Sequence, residues 1–399
     1  MDDLIVLKPQ FVLADPPQPP LGGRAVVVRG ERIEAVVPIG EIPADAKILE
    51  FPGATLMPGL IDAHVHLTLC GCCAPRQTMM QENNEMLLLR AAENARLALL
   101  AGITTLRDCG DRDGITFTLR EAILRGLVPG PRLLLSGPPL TSPRGHCYFM
   151  GGEVEGREHI ARTIAGLVAR GANFIKVMAT GGGLTPGTDS LALQFTPDDL
   201  AFIVSEAGKT KRYVAAHAHS PESIRVCVDA GVRTVEHASF VASGAVAADD
   251  SILEVMARAG AIAVPTNIPA VHAIRAGRML GLARQIGLSS EQFLEGRRQV
   301  LRDLIASGVR VIAGSDAGAT GVPFDSLLGE IELLAEGFGS VSRAIAAATS
   351  ESAYSLGLAD AGRVREGMAA DLLILAENPE NDLQTLRKPL LVMSRGRIQ

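Results

Sequence analysis

Between about residues 56 and 350, short β-branched or apolar runs alternate with longer segments of helical period. Such alternation marks a parallel sheet whose strands are joined by helical crossovers. The candidate strands are 55–64, 103–107, 132–136, 174–178, 213–217, 234–237, 261–265 and 309–313. Eight strands over roughly 300 residues match an α/β fold of the (β/α)8 TIM-barrel type in number and spacing. The intervening segments carry helix-start chemistry. Thr196-Pro197-Asp198-Asp199 supplies an N-cap, a proline at the first helical position and two carboxylates at the positive end of the helix dipole. Ser220-Pro221-Glu222 repeats the device after the fifth strand.

The two chain ends follow a different pattern. Apolar stretches 24–28 and 32–37 flank the turn-forming Arg29-Gly30-Glu31, and stretches 371–375 and 391–393 precede Arg395-Gly396-Arg397. Both ends read as pieces of one all-β module, a small β-sandwich beside the barrel. The expected division places residues 1–57 and 362–399 in the sandwich and 58–361 in a catalytic barrel. Residues 16–20 are proline-dense and read as a surface loop.

Composition acts mainly by exclusion. A chain of 399 residues, 47% hydrophobic and 21% charged, sustains a large core without disulfides. Its net charge is −6 and its Lys and Arg residues are scattered, so no nucleic acid partner is expected. The first thirty residues include Asp2, Asp3 and Asp15 and several prolines, with no basic segment leading into a long apolar run. Neither a secretory signal nor a membrane span is expected, and the expectation is a cytoplasmic homo-oligomer acting on a small molecule. The six cysteines are then expected to be free thiols. That includes the cluster Cys70, Cys72 and Cys73, which lacks the second ligand pair of a closed zinc site.

Polar residues at strand ends carry the chemical signal. In Pro58-Gly59-Leu60-Ile61-Asp62-Ala63-His64-Val65-His66, the two histidines are two apart, so a strand projects both to one side at its carboxyl end. Two imidazoles so placed can chelate a cation, although histidines also serve as ordinary core or surface residues. Lys176 lies in the apolar run 174–178, His217 ends the fifth strand, His237 ends the sixth and Asp316 follows the eighth. Carboxyl ends of barrel strands converge on one mouth, where active sites of that fold sit. A lysine can snorkel to solvent, but Lys176 inside a central strand has little route there, and desolvation makes an amine a better nucleophile. Such a lysine can add carbon dioxide. The resulting carbamate has two anionic oxygens able to bridge cations that an ammonium would repel.

The combination His64-x-His66, Lys176, His217, His237 and Asp316 resembles the amidohydrolase superfamily in its binuclear form. The likeness covers nearly the whole chain, including residues 57–64 and the segment Gly362-x-Val364-x-Glu366-Gly367-x-x-Ala370-Asp371-Leu372. Within the superfamily, residues 174–182 and Val235-Glu236-His237 look like the group of prolidases, related carboxypeptidases and imidazolonepropionase-like hydrolases. The resemblance implies that His64, His66 and Asp316 hold one divalent metal ion, expected to be zinc, and that His217 and His237 hold a second. Carboxylated Lys176 and a hydroxide would lie between them. Asp316 would accept the water proton and return it to the leaving nitrogen. The implied reaction is hydrolysis of an amide or peptide C–N bond in a dipeptide or acylated amino acid. Hydrolysis of a carbamate, urea, cyclic amide or ester is the alternative, and a catalytically silent scaffold would be expected to have lost ligands.

Several positions leave choices open. His217 and His219 face the same way in a strand; the resemblance favours His217 as ligand, while many relatives carry a substrate-contacting tyrosine where His219 stands. His219 then either binds an anionic group or is a satisfied histidine near the mouth. His219-Ser220-Pro221-Glu222 also meets the His-x-x-Glu spacing of mononuclear deaminases, though the helix dipole alone accounts for Glu222. Three loops shape the mouth. Residues 141–148 contain His146, whose counterpart in relatives contacts substrate; 181–187 read as a glycine-rich lid; and 265–287 contain His272, Arg275 and Arg278, basic residues for an acidic substrate or a solvated face.

Overall fold

The computed structural model describes residues 4–399, so Asp2 and Asp3 lie outside the described residues. Eight parallel strands follow one another through the middle of the chain: β1 (Leu60–Val65), β2 (Ile103–Asp108), β3 (Arg132–Leu135), β4 (Ile175–Met178), β5 (Val214–Ala218), β6 (Thr234–His237), β7 (Ile262–Val264) and β8 (Arg310–Val311). The protein is an α/β fold with helices between these strands. Every residue of β1, β2, β4 and β5 is buried, as covered parallel strands require, which is why they read as nearly continuous apolar runs. The predicted helix starts are present: Thr196 Oγ1 accepts from Asp199 N at 3.1 Å, and Ser220 Oγ accepts from Ser223 N at 3.3 Å.

The regular ladders form two sheets, β1-β2-β3 and β4-β5-β6-β7-β8, rather than one closed ring. Shorter contacts join them. At one seam Leu140 bridges Val177, donating to Lys176 O and accepting from Met178 N, both at 2.8 Å. At the other, Ala63 N donates to Ala313 O at 2.9 Å, Asp316 N to His64 O at 2.7 Å and His66 N to Ala317 O at 2.8 Å. The eighth strand is thus shorter than the expected 309–313, because the chain breaks regular pairing there to bring Gly314 against β1. A Cβ on Gly314 would lie 2.9 Å from His64 Cβ.

The expected first strand 55–64 is two strands. Lys47–Pro58 belongs to a separate sheet, and β1 starts only after Gly59. A Cβ on Gly59 would fall 2.1 Å from Thr104 Oγ1, so glycine lets the chain pass from one sheet to the other against β2. That separate sheet takes strands from either side of the parallel-strand region, and among the described residues they pair within a single mixed eight-stranded sheet rather than the two stacked ones a sandwich needs. Its order is Arg397–Ile398, Leu391–Ser394, Leu372–Leu375, Lys47–Pro58, Leu4–Val12, Arg24–Arg29 and Arg32–Pro38, with Leu21–Gly22 beside Leu4–Val12. One apolar core gathers Leu7, Val26, Leu56, Leu372 and Met393, and a second gathers Val6, Ala25 and Val27. Alternation along each strand feeds the two cores from opposite faces.

The cysteine expectation needs correction. Cys70 and Cys72 form a disulfide across Gly71, while Cys73, Cys109, Cys147 and Cys227 are free. Gly71 takes a left-handed turn (φ +60°), which brings the flanking Cα atoms to 5.2 Å. Among the described residues no helix is long and apolar enough to cross a membrane.

The helix Leu327–Phe338 buttresses the loop after β7 through Glu330, whose Oε2 accepts from Ile268 N at 2.7 Å. Burial pushes this carboxyl from 4.5 up to about 7. Folded protein therefore holds a proton that unfolded chain releases at lower pH, and stability falls as pH rises from about 4.5 through about 7. Glu330→Gln removes that dependence. Relative to the parent protein it is expected to gain up to roughly 3 kcal/mol between pH 5 and pH 8, read from denaturant midpoints. Parallel pH profiles for the two proteins would reject the assignment.

Candidate metal centre

His64 and His66 leave the end of β1 toward Asp316, whose Oδ1 lies 3.6 Å from Nε2 of each. His217 from β5, His219 just beyond it and His237 from β6 form a second group, with ring centroids 4.4–5.0 Å apart. Within each group the potential ligand atoms lie within 4.8 Å of one another. The two groups meet where the His64 and His237 rings approach to 5.0 Å. Lys176 lines the same cavity, 1% exposed, and its Nζ has no hydrogen-bond partner. All six residues singled out at strand ends thus share one cavity, and His219 joins them.

Hydrogen bonding fixes which imidazole nitrogens are free. Glu236 Oε2 lies 2.7 Å from His64 Nδ1, and its Oε1 lies 2.6 Å from Arg107 Nη2. Burial alone would raise Glu236, but Arg107, Lys176 and His64 hold it well below the ordinary carboxylate range. An ionised carboxylate can only accept, so His64 Nδ1 donates and Nε2 presents its lone pair. His66 Nδ1 donates to Gly110 O at 3.0 Å, again freeing Nε2, and His217 Nε2 donates to Gly181 O at 3.0 Å, freeing Nδ1. His237 Nδ1 pairs with Thr266 Oγ1 at 2.7 Å, and His219 Nδ1 with Ser239 Oγ at 2.9 Å.

Burial keeps these rings neutral. It lowers His64 to about 3 and His66 to about 4, and carries His217, His219 and His237 well below 6.5, with like charges nearby adding to the effect. It pushes Asp316 the other way, up to about 7, against the pull of Lys176. Neutral imidazoles with directed lone pairs and a carboxylate are the donor set divalent cations take. His64 Nε2 is itself buried without a partner, as a ligand atom facing such a cation would be. A third cluster, His64 with Cys109 and Glu236, does not fit: Arg107 occupies Glu236, and burial raises the Cys109 thiol to about 12.

The backbone is held in unusual conformations where the strands deliver these groups. His237, Ala238, Phe240, Thr266 and Asp316 are non-glycine residues at φ +41° to +67°. Such conformations persist only where surrounding contacts over-determine them. Asp62 supplies several, accepting from His64 N at 3.1 Å and from Ser315 N at 3.0 Å. Arg297 supplies others, donating to Asn267 Oδ1 and to His237 O, each at 2.8 Å, and to Pro265 O.

Sequence reasoning did not single out Arg107, Asp62 or Arg297. For the first two a signal existed: each is a charge inside an apolar strand, the same feature that drew attention to Lys176. Arg297 sits in the amphipathic helix Ser290–Ala306, where an arginine carries no such mark.

The loop residues sort unequally. His146 is buried at the cavity, its ring 4.6 Å from His217 and its Nδ1 without a partner. Burial, with His66 and Lys176 adding, lowers it to about 3. Gly183 and Leu184 of the expected lid also line the cavity. Of the basic residues after β7, Arg278 lines it; His272 instead pairs with Ser326 Oγ at 3.0 Å, and Arg275 is exposed. Glu222 is exposed and does not line the cavity, so the deaminase reading loses its proton shuttle.

Parallel strands that deliver histidines, a buried lysine and an aspartate to one cavity define the amidohydrolases, and the chain belongs to that family. The amidohydrolase family model matches residues 55–398. More particularly, the chain is similar to the ochratoxinase of Aspergillus niger, 28% identical in an alignment 411 positions long that covers 94% of this chain and 81% of that protein. A crystal structure of a prolidase complexed with N-methylphosphonate-L-proline superposes with a TM-score of 0.84, at 28% identity over 99% of both chains. A Xaa-Pro dipeptidase with bound methionine shares the fold, with a TM-score of 0.88 over the full length of both chains at 24% identity. Membership and these neighbours make the protein a hydrolase.

Proposed function

We propose that the protein hydrolyses an amide or peptide C–N bond of a small molecule, of the dipeptide or acylated amino acid type, at a centre that takes two divalent cations. Histidine-rich ligation suits zinc. The observation that carries this reading is the buried, unpartnered Nζ of Lys176 in a cavity shared with two groups of neutral histidines. An ammonium there has no partner and would repel cations held by the histidines. Carboxylation removes the conflict: the neutral amine attacks carbon dioxide, an N–C bond forms, and loss of a proton from nitrogen leaves an anionic carbamate.

In this reading His64, His66 and Asp316 would hold one cation and His217 and His237 the other, and carboxylated Lys176 would supply anionic oxygen ligands. When bound, the cations lower the pKa of a water and polarise the substrate carbonyl. Asp316, at the mouth beside His64 and His66, takes the water proton and hands it to the leaving nitrogen. His146 and His219 contact the substrate. The two parallel sheets act as one (β/α)8 barrel over residues 58–361, beside the module formed by 1–57 and 362–399. The prolidase and ochratoxinase relatives support an amide-type bond as the target.

Metal analysis tests the proposal. Protein purified without chelator is expected to carry about two equivalents of divalent cation per chain and to cleave members of a panel of dipeptides and acylated amino acids. One equivalent would point to a mononuclear site, and none to a scaffold.

A further inference from the structure

The cavity over the centre has a volume of about 330 Å³ and walls of contrasting chemistry. Histidines make the polar wall, whereas Leu184, Ala270, Met279, Leu280, Leu282 and Phe293 make an apolar one. Among the described residues its lining charges are lopsided: Lys176, Arg278, Arg284 and Arg297 against the single acid Asp316. The cations are not equivalent. Lys176 belongs to the centre, and Arg297 is buried and cross-links Asn267, His237 and Pro265. Arg284 stands exposed on the helix Gly281–Gln285.

Arg278 differs from all three. It is half-buried, and its guanidinium makes no hydrogen bond or ion pair among the described residues. It lies against the segment that follows Asp316: a Cβ on Gly321 would come within 2.0 Å of Arg278 Nη2 and 3.0 Å of Cζ. Ala319 and Thr320 of that segment also line the cavity. The arginine therefore reaches from the loop after β7 to the loop after β8, at the cavity's edge, with its donors uncommitted. A guanidinium has five donors and no acceptor, and its planar fork matches a carboxylate.

We propose that Arg278 selects substrates bearing a free carboxylate, and that the substrate class is an amide carrying both that carboxylate and a bulky apolar group packed on the wall of Leu282 and Phe293. The inference rests on the reading of this cavity as the substrate site. Calorimetric binding of phenylbutanoate and of its neutral counterpart phenylbutanamide to the metal-loaded protein tests it without requiring turnover. The parent protein is expected to bind the acid about tenfold more tightly than the amide or better. Arg278→Ala brings the ratio to about one by weakening the acid alone, Arg278→Lys retains part of the preference, and Arg275→Ala, outside the cavity, leaves it intact.

An acid preference that survives Arg278→Ala overturns the assignment, because the carboxylate is then held elsewhere. Equal or undetectable binding of both probes to the parent protein overturns it as well. Turnover of acylated amino acids, measured in the same preparations, separates the two readings. Arg278-dependent acid binding in a protein that cleaves no amide removes the hydrolytic reading, and the amide with it, and leaves only the carboxylate assignment to Arg278 standing. Amide cleavage without an Arg278-dependent preference does the reverse.

Discussion

Lys176→Met is expected to lower turnover by at least about a thousandfold while raising the melting temperature of the metal-free protein. The two effects have one cause. Lys176 stands in a strand whose residues are all buried, and its Nζ is an orphan there. Methionine fills similar volume without a polar head, which relieves a cost of about 1–3 kcal/mol for an unsatisfied buried group. It also removes the one lysine in the cavity lining among the described residues, and with it the carbamate proposed to sit between the histidine groups. Native mass spectrometry under non-acidifying conditions should show the parent heavier by one carbon dioxide per chain and the variant without it. Turnover that persists in the variant would end the carbamate reading, and a lowered melting point would mean the lysine is part of the packing.

The second large effect is structural. Arg107→Met is expected to destabilise chelator-treated protein by about 3–5 kcal/mol, measured from denaturant midpoints. Arg107 donates to Ala63 O at 2.5 Å, to Thr234 Oγ1 at 3.0 Å and to Glu236 Oε1 at 2.6 Å, entirely out of contact with water. Its removal leaves the Glu236 carboxylate buried opposite His64 with its counter-charge gone, which is costlier than deleting the pair. Arg107→Met with Glu236→Gln is therefore expected to recover most of the loss. A double variant no more stable than Arg107→Met would mean that the arginine acts through packing and backbone contacts alone.

Much of this was legible in the sequence, for identifiable reasons. The parallel strands announce themselves because both faces are covered, so each is a short apolar run, and a histidine or lysine at its end stands out. Residues at the ends of different strands could be grouped before any contact was known, because parallel strands share one carboxyl edge. Pairing at the seams was not legible. β8 is two residues long and the chain beyond it holds β1 through single hydrogen bonds, which leave no periodic trace. Nor could spacing say that Lys47–Pro58 and β1 part at Gly59, since the reason is Thr104, some forty-five positions away. The Cys70–Cys72 disulfide was missed because the expectation came from cellular compartment, whereas the turn at Gly71 is a local matter. Arg278 could not be told from Arg275 either, as both lie in one basic stretch and only the fold separates them, Arg278 lining the cavity against Gly321 while Arg275 stands exposed.

The sheet built from both chain ends has a consequence for synthesis. Thr55–Pro58 pairs with Leu372–Leu375, so one edge of the strand Lys47–Pro58 stays without its neighbour until the C-terminal strands leave the ribosome. At about 5–20 residues per second, the intervening stretch takes on the order of 15–60 s to translate. Throughout that interval an apolar edge, with Leu56 and Met57 on it, is open to pairing with other nascent chains. The helices and parallel strands of the middle can meanwhile collapse from local contacts, leaving the terminal sheet to close last. Yield of active protein should depend on the pace of translation and on chaperone capture of this early strand, more than on the stability of the finished enzyme.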